Sequence, residues 1–193
     1  MKRIISFLIL ISIFQIRGVS EDFALKTNLI YDALLNANIG AEMQVAPKWS
    51  VDLSGQVNFW TLSHKRKWKN WMVQPEARYW LCEAMTGHFF AGHLIGGEYN
   101  VGSLDLPDKF MGTNFKDLRD NRYQGWFAGV GVGYGYTWML SKHWSIEAEL
   151  GAGYIYSRYD RYECPGCGRK VESNKDHNYF GITKAAVNLI FVF

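Results

Sequence analysis

The chain has 193 residues, 48% of them hydrophobic, 16% aromatic and 20% charged, with a formal net charge of +3. That charge sits at one end: without Lys2, Arg3 and Arg17, 18 basic residues face 18 acidic ones. A neutral remainder excludes a general affinity for nucleic acid, and the length suits one domain.

Residues 1–20 have a basic start (Lys2, Arg3), an apolar run from Ile4 to Ile16, and small residues Gly18 and Ser20. This is the pattern of a cleaved secretory signal peptide, with the cut expected after Ser20. The run is shorter than the roughly 20 apolar residues a spanning helix needs. No cysteine lies near the cut, which argues against a lipid-anchored N-terminus. No later segment reads as a spanning helix, and mean hydropathy is slightly negative. Barrel strands interleave polar and apolar residues and dilute that average, so a membrane barrel stays open.

From Phe23 onward the chain alternates. A first strand over 23–33 sets Leu25, Thr27, Leu29 and Tyr31 against Lys26, Asn28 and Asp32. A second over 36–45 sets Ala37, Ile39, Ala41, Met43 and Val45 against Asn38, Gly40, Glu42 and Gln44. After a turn at Pro47 and Lys48, a third over 49–60 sets Val51, Leu53, Val57 and Phe59 against Asp52, Ser54, Gln56 and Asn58.

A basic loop, TLSHKRKWKN, leads to a fourth strand over 71–81 with Gln74, Glu76 and Arg78 on its polar face. Pro75 lacks an amide donor, which predicts a bulge or an unpaired point there. Residues 82–87 read as a turn. The fifth strand, 88–100, has apolar residues on both faces and predicts a bulge.

After a long polar loop at 101–121 come the two clearest strands, GWFAGVGVGYGYTWM and WSIEAELGAGYIYSRY, joined by a turn at 140–143. The first puts Trp126, Ala128, Val130, Val132, Tyr134, Tyr136 and Trp138 on one face and mostly glycine on the other. The second puts Ile146, Ala148, Leu150, Ala152, Tyr154 and Tyr156 opposite Glu147, Glu149, Gly151 and Gly153. A second long loop is expected at 162–178, then a last strand over 179–193. That strand sets Ala185, Val187, Leu189, Phe191 and Phe193 against Lys184, Ala186, Asn188 and Ile190.

Eight strands with long connections alternating with short ones predict an all-β, eight-stranded antiparallel up-and-down transmembrane barrel. Alternation alone also fits a soluble periplasmic barrel. The aromatics decide the orientation: Trp126, Trp138 and Trp144 close the ends of apolar stripes, as rings at the two headgroup levels do. Glycine on the opposite face leaves room for long charged side chains in a narrow interior.

The motifs KTNLIYDALLNANIGAE (26–42), QPEARYW (74–80) and GGEYNVG (96–102), with the aromatic C-terminus, resemble an uncharacterised family of small exported proteins from Gram-negative gut anaerobes. Members are classed with outer-membrane β-barrels, and their genes often lie near fimbrial ones. The resemblance implies a barrel without assigned catalytic residues or cofactors. Phe191 and Phe193 also resemble the terminal aromatic signal read by the barrel-insertion machinery.

Eight charged residues, Lys26, Glu42, Asp52, Glu76, Arg78, Glu147, Glu149 and Lys184, are expected to project inward. An eight-stranded interior is just wide enough for side chains to fill, so these should pair and plug the barrel rather than line a path for ions. Cys164 and Cys167, spaced CPGC, suit a short loop disulfide in an oxidising compartment or half of a zinc knuckle. The disulfide is the plainer reading, and Cys82 is too far away to join. The run His64 to Lys69, with Trp68, reads as a solvated loop or a lipid-phosphate contact. Ser173, Asp176 and His177 have the residue types of a hydrolase.

The reading with most support is a non-catalytic outer-membrane barrel without cofactor or metal. It would present extracellular loops for surface adhesion or fimbrial assembly, with outer-membrane lipid, the insertion machinery and surface or fimbrial proteins as partners. A lipid-modifying enzyme and a small pore are the rivals.

Overall fold

A computed structural model describes residues 23–60, 67–102, 109–110, 113–114, 121–163 and 168–193. The expected signal peptide, the Cys164–Cys167 pair and His64 to Arg66 lie outside them.

Ten strands and one short helix occur among the described residues. β1 (Phe23–Asn28), α1 (Leu29–Ala33), β2 (Ala37–Ala46), β3 (Trp49–Asn58), β4 (Lys67–Trp80) and β5 (Gly87–Gly102) form the first half. β6 (Lys109–Phe110) and β7 (Thr113–Asn114) pair only with each other. β8 (Arg122–Met139), β9 (Trp144–Tyr162) and β10 (Lys170–Val192) complete the chain. Eight antiparallel strands close into a barrel in the order β1-β10-β9-β8-β5-β4-β3-β2, with each chain neighbour pairing except where β10 returns to β1. No helix among the described residues is long and apolar enough to cross a membrane.

The wall is uneven in height. β2 and β3 have 10 residues each, whereas β8, β9 and β10 have 18, 19 and 23. The long hairpins therefore rise past the rim set by the short ones.

Four expectations need correction. The first strand stops at Asn28 rather than Ala33, because the Asn28 side chain accepts the Ile30 amide at 3.1 Å and caps α1. Leu35 then takes φ 59 and turns the chain into β2. β4 begins at Lys67, so Lys67 to Asn70 are strand rather than loop, paired to Asn100–Gly102 and Tyr99.

The expected bulge in β5 is not found. β5 runs in one register along both β4 and β8, and its inward residues are themselves partly apolar: Phe89, Ala91 and Ile95. Apolar residues on both faces thus reflect a mixed interior. Pro75 interrupts only the ladder to β5, where Gln74 and Pro75 go unpaired with the register kept.

The second long loop is the largest difference. Residues 170–178 are strand, paired with β9 up to Tyr162. Ion pairs across this stretch, Arg158–Asp176 at 2.9 Å and Lys170–Asp160 at 2.6 Å, take the place of apolar contacts. An antiparallel ladder needs only its backbone partners, so polar residues extend it where both faces meet water.

Candidate functional site

All eight predicted inward charges are buried, and the structure brings them together in one network. Arg78 is its centre, with no exposed side-chain surface. Its Nε donates to Glu76 at 2.6 Å, Nη1 to Glu42 at 2.9 Å and to Glu147 at 2.7 Å, and Nη2 to Glu149 at 2.9 Å. One guanidinium thus serves four carboxylates. Its planar fork of five N–H donors allows this, and a lysine could not replace it. Lys26 pairs with Glu42 and lies 3.0 Å from Asp52; Lys184 bridges Glu76 at 2.6 Å and Glu149 at 3.0 Å.

Neutral donors complete the shell. Ser50 donates to Glu42 and itself accepts from the Trp80 indole at 2.8 Å, while Asn188 and Thr137 donate to Glu147. Below the network, toward the short turns, Trp80, Phe89 and Ala91 form an apolar floor, with the Arg78 guanidinium 4.5 Å above the Phe89 ring. Above it, Tyr31 of α1 lines, with Asn28 and Met72, a cavity of only about 20 Å³. That is space for about one water-sized guest.

Glycines of β8 and β9 shape this interior. A Cβ at Gly133 would come within 2.9 Å of Glu149 Oε1, and one at Gly131 within 2.7 Å of Thr183 Oγ1. Across the barrel, a Cβ at Gly40 would meet Lys26 Cγ at 2.7 Å. The glycine face of the sequence is the complement of its long charged side chains.

His93 and Thr183 belong to the site and were not legible as such. His93 is on β5, whose two apolar faces hid its phase. Thr183 enters through a register shift between Ile182 and Lys184, which turns Thr183 and Lys184 both inward. Strict alternation would put Thr183 outside. Its hydroxyl lies 2.9 Å from His93 Nε2.

The outer face is the reverse. Val130, Val132, Leu150, Leu94, Leu53 and Ile39 are exposed on the wall, Val132 by 70%. Trp126 is at one end of this band, near Tyr156; Trp138 and Trp144 are at the other, where Trp144 packs on Phe191 and Phe193 on Phe23. The Phe193 amide donates to the Phe23 carbonyl at 2.9 Å, so the C-terminus closes the barrel beside its first strand. Trp68 does not join these rings. It faces the mouth, its indole toward Asn36 at 3.4 Å, so it is not an outward lipid anchor for the basic run.

At the tall rim, Asp176 accepts from the Tyr156 hydroxyl at 2.7 Å and from Arg158, which together hold its carboxyl below the usual range. A hydrogen bond from Lys170, and then the Asn174 amide, do the same for Asp160. Ser173 accepts from Lys170 at 3.2 Å, and His177 is exposed opposite Ser157. Asp176 and His177 are adjacent on a strand and point to opposite faces, so these three residues are not gathered into a hydrolase arrangement. Among the open clefts, one of about 460 Å³ lies at the rim, lined by Asn58, Lys69, Tyr99, Trp126, Arg158 and Asp160 among others. Cys82 is exposed in the turn between β4 and β5.

One protein-family profile, described as "Protein of unknown function (DUF3575)", matches residues 4–193. No curated protein and no solved structure matches the chain.

Proposed function

The chain belongs to this family of unknown function, and we propose that it is a non-catalytic outer-membrane barrel that anchors and presents its outer rim for surface adhesion or fimbrial assembly. The observation that carries the reading is the pairing of a sealed, charged interior with an exposed apolar wall bounded by aromatic rings. Strands rising about 3.4 Å per residue and tilted by roughly 35–45° climb roughly 30 Å between Trp126 and Trp138. A hydrocarbon core is about that thick. In water such a wall would be a large uncovered apolar patch; in lipid it is the expected surface.

On this reading the short turns and both chain ends face the periplasm, where Phe191 and Phe193 serve the insertion machinery. The extended β8–β10 wall stands outside among surface partners. The interior is filled by side chains, and its cavities of about 20 and 10 Å³ favour an anchor over a pore.

Membrane fractionation with a heat-dependent gel shift tests the placement, combined with surface proteolysis at 101–121. A shifted band in the outer-membrane fraction, cleaved from outside, is the expected result. A chain recovered with the soluble fraction would contradict it. Deleting 103–120 should reduce adhesion or fimbriation while the barrel stays in the membrane. Unchanged adhesion and fimbriation would remove the presenting role.

A further inference from the structure

The enclosed network does not balance. Five buried carboxylates, Glu42, Asp52, Glu76, Glu147 and Glu149, face three buried cations, Lys26, Arg78 and Lys184. Two negative charges are left over in a compartment without bulk water, and such charges need a partner.

One cluster brings two of these carboxylates to a buried imidazole. Single ligand atoms of Glu76, His93 and Glu149 lie within 4.8 Å of one another, all three residues buried. Two of their atoms have no hydrogen-bond partner: His93 Nδ1 and Glu149 Oε1. His93 is 2% exposed and its Nδ1 points toward Glu76 Oε2 at 3.7 Å. When His93 Nε2 donates to the Thr183 hydroxyl, Nδ1 presents its lone pair to a carboxylate, which is unfavourable unless a cation lies between them. An imidazole whose far nitrogen is held by a second group is also how a metal-ligating histidine is oriented.

The geometry points to a divalent transition-metal site of the Zn²⁺ type, formed by Glu76, His93 and Glu149, with Thr183 positioning the imidazole. One nitrogen and two oxygen donors suit such an ion better than Ca²⁺ or Mg²⁺, which take oxygen shells. Its two positive charges cancel the surplus. Ligand atoms on one tetrahedral ion at about 2.1 Å are roughly 3.4 Å apart, so groups that now lie within 4.8 Å of one another close by at most roughly 1.4 Å on binding. Lys184, which now bridges the two carboxylates, turns to Asp52. Asp52 has no hydrogen bond to either carboxylate oxygen and lines the same small cavity as Lys184. Glycine at 131 and 151 keeps the space around His93 free, since a Cβ at Gly151 would come within 2.9 Å of its Cε1. The site is a property of the closed barrel and does not depend on where the barrel resides.

Elemental analysis of the full chain, purified from its native compartment without chelator, tests this. About one zinc-class ion per chain is expected, falling at least tenfold in His93→Asn and Glu149→Gln and unchanged in Glu98→Gln on the outer wall. Thr183→Val should weaken affinity by about 10–100-fold. Where a variant fails to fold, Co²⁺ loaded into the wild-type chain after chelation gives a second readout, an intense visible band of low-coordinate cobalt with nitrogen and oxygen ligands. A wild-type chain that carries no ion and takes up none would overturn the site, with protons left to neutralise the surplus. So would metal retained equally by His93→Asn, or cobalt that shows only its aquo spectrum.

Discussion

β10 contains two kinds of sequence on one continuous strand. From Lys184 to Ile190 its residues alternate between buried and outward positions, whereas from Lys170 to Asn178 nearly every residue is polar and exposed. The first stretch separates a charged interior from an apolar exterior. The second separates water from water, and is held by ladder bonds and ion pairs such as Arg158–Asp176. Alternation is therefore a record of what is on the two sides of a strand, rather than of the strand itself.

The contrast can be broken most severely at Arg78. Arg78→Met removes the cation shared by four carboxylates and should cost at least about 3–5 kcal/mol, the scale for breaking a buried pair. Urea unfolding in micelles, followed by tryptophan fluorescence, measures it. A midpoint unchanged from wild type would mean that the network does not hold the barrel together.

Arginine at Val130 or Leu150 comes next, at roughly 2–4 kcal/mol at the membrane midplane. The same change at Val171, on the water-exposed stretch of β10, should be silent. Equal effects at all three positions would erase the distinction between the two halves.

Glycine substitutions sharpen the comparison within one wall. Gly131→Ala pushes a methyl group against Thr183 and His93 and should cost about 1–3 kcal/mol, the usual range for overpacking. Gly92→Ala meets nothing within 4 Å and should be close to neutral. Thermal gel shifts of the two variants would distinguish them, and a reversed order would place the glycine face outside.

The smallest effect is at the tall rim. Asp160 and Asp176 have lowered pKa values in the folded chain, so their pairing is complete above the ordinary aspartate range near about 4 and lost as pH falls through the lower, folded values. Amide protection factors, taken relative to the intrinsic exchange rate at each pH, should fall at 158–162 and 170–176 on acidification while those of the β8–β9 core do not. A uniform fall would show that the rim and the barrel open together.

The same contrast explains what the sequence disclosed. Strand faces from Ala37 to Asn58 and from Gly125 to Tyr156 were readable because interior and exterior differ in polarity there, and with them came Glu42, Asp52, Glu147 and Glu149; the same alternation on β1, β4 and β10 carried Lys26, Glu76, Arg78 and Lys184. β5 was ambiguous because Phe89 and Ala91 help form the apolar floor under Arg78. Its phase, and so the inward position of His93, follows from register with Glu76 on β4, which a single strand does not display. Thr183 depended on a register shift that leaves alternation intact on both sides of it. The capping of α1 by Asn28 was carried by one residue, and Leu29 and Tyr31 continued the period of two through it.

Spin labels on the wall test the orientation most directly. With single labels at positions 130, 132 and 150, and a control at 175, collision with dissolved oxygen is compared with collision with a water-soluble nickel chelate in the native membrane. The wall positions should respond strongly to oxygen and weakly to nickel, and position 175 the reverse. If nickel reaches Val132 as readily as Lys175, the apolar wall faces water and the membrane-barrel account is wrong.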